Sequence, residues 1–284
     1  MRCAGIGLIL PNDFDEAIKD IEFIAKSGLR GGVLLPLIPP DAYWLKPLYD
    51  PAWDRVFAAI QDHGLVMNQH TGQGLPNYGE GAVAESIWIQ DVAYYGQAGY
   101  RHLLMAGVYE KFPKIKHILT ESGCYWVSAV LKQCDRAYYS LKSGSLGEMN
   151  YKGLAMPLKE PPSEYAKRNC YYGASFPSKA DLAGIEEIGE DHVLWGNDYP
   201  HYEGTFPYTI QSLRLTVGDM PEERRRKVLG LNAAALYNFD LEKLKERAAK
   251  VGPTPAQIET PLPRADIPRD SACYLFREAL AEAS

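Results

Sequence analysis

Val193-Leu194-Trp195-Gly196-Asn197-Asp198-Tyr199-Pro200-His201 is an apolar run that ends abruptly in an acid, an aromatic, a proline and a histidine. Residues 193–195 have the composition of a short buried strand, and Gly196 lets the backbone leave it tightly. Asp198 then falls just beyond the carboxyl end of a strand, where parallel α/β sheets and barrels carry their chemistry. Pro200 stiffens the exit and presets the direction of His201. Alone, the segment is equally compatible with a strand and a polar turn. Its recurrence upstream decides the fold class.

Working back toward the amino terminus, residues 5–10 are apolar and β-like, and Asp13 is placed to cap a helix whose inner face carries Phe14, Ala17, Ile18 and Ile21. Residues 32–35 form the next short strand, which completes a βαβ unit and so implies parallel pairing. Asp50-Pro51 opens a second helix. A strand over residues 65–67 runs out at Asn68-Gln69-His70-Thr71-Gly72, and a Gly-rich loop (73–81) leads to helical sequence through about Val108. Residues 117–119 form a strand ending at Thr120-Glu121-Ser122-Gly123, followed by a helix over 125–139. Residues 142–162 are an excursion rich in Gly, Ser and Pro, the kind of loop that serves as a lid or binding loop. A strand over 168–172, a helix over 179–188 and the opening stretch complete six strands separated by helices, an all-parallel α/β pattern. Helices are expected over 207–217 and 221–228, with a short one over 232–237 capped by Asn232. After Asp240 comes a charged helix (241–251) and then a tail with five prolines in 252–268. The expected domains are therefore 1–240, a barrel-type domain, and 241–284, a peripheral extension.

The 284 residues are 46% hydrophobic and 23% charged, with a formal net charge of -6, and this excludes a nucleic-acid-binding composition. No apolar stretch approaches the roughly 20 residues needed to span a bilayer, so no membrane partner is expected. The five cysteines form no C-x-x-C pair and read as reduced thiols of a cytoplasmic protein. Nothing basic adjoins Cys124, which reads as an inert thiol. No phosphate-binding G-x-G-x-x-G or P-loop pattern and no G-x-S-x-G elbow occurs.

Three strands end in residues able to bind a metal or move a proton: His70, Glu121 and Asp198. In a (β/α)8 barrel all strand carboxyl ends open on one face, so the three can converge. Imidazole nitrogens and carboxylate oxygens both suit a divalent metal, which acidifies bound water for attack on a carbonyl carbon. Each also has a plainer reading, as a hydrogen-bonded loop residue or a helix cap. Tyr125, Trp126 and Phe176 follow strand ends and are candidates to line a pocket for a flat substrate. His102, His117 and His192 read as structural.

These pieces resemble the amidohydrolase-related (amidohydrolase 2) family of the metal-dependent hydrolase superfamily, which includes relatives of aminocarboxymuconate-semialdehyde decarboxylase. The resemblance is carried in order by Tyr49-Asp50-Pro51-Ala52-Trp53, by residues 66–72 ending in His70-Thr71-Gly72, by residues 107–123, by Trp195 through His201, and by Gly230-Leu231-Asn232-Ala233-Ala234. It implies a TIM-like barrel with a metal at its mouth, His70 and Asp198 as ligands, and Glu121 where many members carry a catalytic histidine. His201 would neighbour the metal site and contact substrate. The implied metal is zinc, with manganese or iron as alternatives, and the substrate a small molecule.

The departure from the family is at the start. Members begin with a strand carrying His-x-His, and none occurs here; the six histidines are His63, His70, His102, His117, His192 and His201. The resemblance implies that about two βα units are missing, leaving a TIM-like barrel incomplete at six strands. Its open edges would be covered by the carboxyl-terminal extension or by another subunit, a homo-oligomer. The expected function is a metal-dependent hydrolase or nonoxidative decarboxylase of a small carbonyl or carboxylate substrate. The alternative is an inactive member that binds a small molecule or a partner, with no metal at all if the site is incomplete.

Overall fold

The structure is a computed structural model that describes residues 2–146, 149–150 and 158–281. The chain divides into two compact units, one of residues 4–122 and 126–171, the other of residues 172–284 with 1–3 and 123–125.

In the first unit, β1 (Ile6–Leu8), β2 (Gly32–Leu34), β3 (Val66–His70) and β4 (Lys116–Thr120) lie side by side in that order, all parallel, with Leu34 opposite Asn68 and His70 opposite Thr120. Helix α1 (Phe14–Lys26) starts where the Asp13 side chain accepts the backbone N–H groups of Asp15 and Glu16, and it buries Ala17, Ile21 and Ile24. A 3-10 turn (Pro51–Trp53), capped by Asp50, leads into α2 (Asp54–Asp62). Trp53 is fully buried there, edge-on to Phe14 at 4.9 Å. The long α3 (Ala82–Met105), the short α4 (Val108–Lys111) and α5 (Val127–Ser143) follow. A small antiparallel pair, β5 (Ser145–Leu146) and β6 (Met149–Asn150), precedes α6 (Pro162–Asn169). The expected loop over 142–162 thus contains the end of α5 and this strand pair, and its residues 147–148 and 151–157 lie outside the described residues.

Strand β3 does not run out at Asn68, as its sequence suggests, but continues to His70 with Asn68 and Gln69 buried. Asn68 Nδ2 donates to the carbonyls of Gly31, Val33 and Val66, and Gln69 Nε2 to that of Gly96 at 2.6 Å, while Gln69 Oε1 has no hydrogen-bond partner among the described residues. Buried amides with partners of this kind cost little, so polar residues persist inside the strand.

In the second unit β7 (Cys170–Ser175) pairs parallel with β8 (Val193–Gly196), Tyr172 opposite Val193 and Ser175 opposite Gly196. Among the described residues six strands therefore run parallel, four in one unit and two in the other, which is the expected α/β class and number. The strand expected over 168–172 is shifted because α6 persists to Asn169, whose side chain donates to the carbonyls of Pro113 and Ile115. The helix expected over 179–188 shrinks to α7 (Ile185–Ile188). Upstream of it Asp181 accepts the backbone N–H and the hydroxyl of Ser178 and its own N–H bonds to that hydroxyl, a reciprocal pair of the kind that opens helices, yet residues 179–184 form turns.

Helices α8 (Thr209–Val217) and α9 (Glu222–Arg226) follow, then a π-helical turn (Lys227–Leu231) that runs straight into α10 (Asn232–Leu236). Asn232 is thus inside a helix and not a cap; its side chain donates to the carbonyls of Glu190 and Val193. Beyond the exposed α11 (Leu241–Val251) come α12 (Pro255–Ile258) and α13 (Tyr274–Ala281). Arg214 donates to the carbonyls of Thr260 and Pro261, and Leu262, Ile267, Cys273, Leu275 and Phe276 form an apolar cluster against Phe176 and Tyr208. Among the described residues no helix is long and apolar enough to cross a membrane.

Two core residues allow quantitative tests. His117 in β4 is fully buried, hydrogen-bonded to the Tyr109 hydroxyl at 2.6 Å, and burial pushes its pKa down to about 3 from the ordinary 6.5. Between these values the unfolded chain binds the extra proton, so its contribution is intact above pH 6.5 and lost as pH falls. Urea unfolding at neutral pH and near pH 5 should show stability dropping by up to about 1.4 kcal/mol per pH unit. In His117→Phe that slope should flatten. Trp126 is 5% exposed, edge-on to Tyr100, with its indole N–H donated to the Ser122 carbonyl at 2.6 Å. Trp126→Ala should cost about 3–5 kcal/mol in the same unfolding measurement.

Candidate functional site

In the first unit, the register of β3 on β4 sets His70 beside Thr120, and Glu121 follows one residue later with a left-handed φ of 58°. A non-glycine residue in that region is uncommon and persists where the surroundings fix it. The turn carries the carboxylate back to His70, whose Nε2 stands 2.6 Å from Glu121 Oε2. The other ring nitrogen, Nδ1, lies 2.6 Å from the Thr71 carbonyl. A carbonyl can only accept, so Nδ1 carries a proton. Nε2 faces a carboxylate, so this second contact requires one more proton, on the imidazole or on Glu121. The contact with Thr71 fixes the direction in which Nε2 points.

In the second unit, Asp198 lies two residues past β8, also left-handed at φ 61°. The turn that follows is closed by His201 N–H to the Asp198 carbonyl, Gly204 N–H to the His201 carbonyl and Thr205 N–H to the Asn197 carbonyl. Only glycine fits at position 204, since a Cβ would stand 2.7 Å from the Asn197 oxygen. The closed turn gathers Asp198, His201 and Glu203, each offering one donor atom within 4.8 Å of the others. Glu203 was not singled out in the sequence, although its D-x-x-H-x-E spacing inside a tight turn is the signal that would have found it.

His70 and Glu121 are a pair of donors, and Asp198, His201 and Glu203 a set of three close enough to hold a divalent metal. One supplies an oriented imidazole beside a carboxylate, the other two carboxylates and an imidazole, which are ligands of zinc and manganese alike. The residues considered for substrate contact divide differently. His201 and Tyr125 are exposed, and Phe176 is partly buried against the carboxyl-terminal apolar cluster. Trp126 has its ring and its N–H occupied by the core of the first unit. Cys124 donates its thiol to the Asp181 carbonyl, and burial pushes its pKa up to about 12, so it is inert.

Residues 1–239 match the model of an amidohydrolase family. No curated protein matches the chain. Among solved structures it resembles 5-carboxyvanillate decarboxylase from Sphingomonas paucimobilis (24% identity, TM-score 0.66, covering 84% of this chain and 67% of that one). It also resembles an amidohydrolase from Mycobacterium avium subsp. paratuberculosis (20%, 0.65, 81% and 57%). A third is 5-carboxyvanillate decarboxylase from Novosphingobium aromaticivorans, solved with bound manganese (18%, 0.66, 82% and 64%). The chain thus spans 57% to 67% of the length of these proteins, and the likeness is one of fold. With the family match extending over 239 of 284 residues, the chain belongs to the amidohydrolase family.

Proposed function

We propose that the chain is a metal-dependent nonoxidative decarboxylase, or a hydrolase of the same family, acting on a small carbonyl or carboxylate substrate. The observation that carries this reading is the His70 ring, held by Thr71 at one nitrogen and turned on Glu121 at the other. Family membership and the decarboxylases among its structural relatives support it. His70 through Nε2 and Asp198 through its carboxylate are the ligands that the family resemblance assigns. A divalent cation held by these residues, zinc or manganese, would supply Lewis acidity toward a substrate oxygen.

The protein's part is orientation and proton movement. Thr71 fixes the His70 tautomer, so that only Nε2 can serve as a ligand. With Nε2 engaged as a ligand, Glu121 would hold a proton. In decarboxylation it delivers that proton to the carbon that loses carbon dioxide, so one proton is consumed for each molecule released. In hydrolysis it receives a proton from the attacking water. His201 contacts substrate from the 197–205 turn. The free thiols suit a cytoplasmic enzyme.

Elemental analysis of the purified chain tests the proposal. Bound metal is expected; its loss in His70→Ala assigns it to the donors of the first unit, and its loss in Asp198→Asn to those of the second. Asparagine is chosen because it tolerates the left-handed backbone at that position, so its effect reports on the carboxylate and not on the turn. A parent chain that takes up no metal even after supplementation would overturn the reading in favour of an inactive binding protein.

A further inference from the structure

Between residues 35–50 and the second half of α3, the first unit encloses a cavity of about 500 Å³ that neither His70 nor Glu121 lines. Its outer wall is stiff. Pro39, Pro40 and Pro47 fix the backbone at three points. Leu45 N–H bonds to the Ala42 carbonyl, Asp50 N–H to that of Pro47, and the buried Trp53 indole to that of Lys46. The wall closes on α3 through glycine: a Cβ at Gly99 would stand 2.5 Å from Leu37 Cδ2, and one at Gly74 2.8 Å from Leu37 Cβ. A cavity formed this way is ready before any ligand arrives, which lowers the cost of binding.

The chemistry of the lining is specific. No lysine, arginine, aspartate or glutamate lines it, and the guanidinium of Arg101 is engaged over the Tyr94 ring, 5.1 Å from its centroid, so a charged ligand loses hydration without a charged partner in the lining. Tyr49 and Tyr94 present partly exposed rings. His102 meets Tyr49 edge-on, at 5.2 Å between ring centroids and 90°. Among the described residues no group is hydrogen-bonded to either ring nitrogen of His102. Burial, and then the neighbouring Arg101 charge, lower its pKa, so the ring is neutral at pH 7 with one donor and one acceptor. The volume is within the range of small-molecule sites, where a few placed polar groups, here the His102 ring and the tyrosine hydroxyls, set orientation.

We propose that this cavity binds an uncharged phenolic molecule of one or two rings, packed against Tyr49 and Tyr94 with its hydroxyl hydrogen-bonded to His102. The site is separate from the metal-dependent reaction and does not rest on it. The test is titration of the whole chain with 2-naphthol at pH 7, followed by fluorescence and calorimetry. One site per chain is expected, with 2-naphthoate binding at least tenfold more weakly. His102→Leu should weaken 2-naphthol at least fivefold, Ala98→Phe should abolish binding by filling the cavity, and His70→Ala should leave it within twofold. Absence of binding, equal affinity in His102→Leu, naphthoate binding as tightly as naphthol, or loss in His70→Ala would each overturn the proposal. Should Ala98→Phe fail to fold by circular dichroism, the partly exposed His102 and the naphthoate comparison decide the matter alone.

Discussion

The parallel register of β3 on β4 is the constraint on which the first unit's chemistry depends. Pairing His70 with Thr120 leaves Thr71 and Glu121 as the next residue on each strand, and one oxygen from each meets a different nitrogen of the same imidazole. A slip of one residue would turn His70 to the other face of the sheet, because side chains alternate. That slip is resisted from inside the strand. Asn68 donates to the carbonyls of Gly31 and Val33 and Gln69 to that of Gly96, and these three bonds to other segments would be lost in the shifted register. The buried amides that look like the end of a strand are what hold its functional end in place.

Much of this was legible in the sequence, and the gaps have physical causes. Apolar runs between helical patterns identified all six parallel strands; β2, β3 and β4 are apolar because they are largely buried, whereas Ile6 and Leu8 of β1 are apolar and exposed. The acids and the histidine at strand ends were visible for the complementary reason, that polar side chains there interrupt an apolar rhythm. The end of β3 was misplaced since Asn68 and Gln69 read as a turn, and only tertiary partners reveal them as buried. Asn232 looked like a cap because its residue type favours that role, yet the carbonyls of Glu190 and Val193 recruit its side chain from inside a helix. Residues 179–184 had helical periodicity, and Ser178 and Asp181 bond as at a helix start, but the segment forms turns and helix begins only at Ile185.

The cavity beside α3 was invisible for a different reason. Its walls come from a proline-rich loop and a helix about 50 residues further on, and nothing in either segment alone marks a pocket. His102 read as structural because it lies within a helix, away from any strand end. Its position against Tyr49 depends on the close approach that Gly74 and Gly99 allow, and a sequence shows glycine without showing what it admits.

The two acids placed at strand ends share a backbone state, and this links the units more firmly than their residue types do. Glu121 and Asp198 both adopt left-handed φ, at 58° and 61°, where glycine would be comfortable. Glutamate gains nothing locally from that conformation, unlike aspartate or asparagine, whose short side chains tolerate it. Stability alone would place glycine at both positions. Strain of this kind, of order 1–3 kcal/mol for each residue, is retained where the side chain must point in a direction the relaxed backbone cannot give. For Glu121 that direction is His70 Nε2, and for Asp198 it is the turn shared with His201 and Glu203. Orientation of a carboxylate, and not burial or helix capping, is therefore what these positions are built to secure.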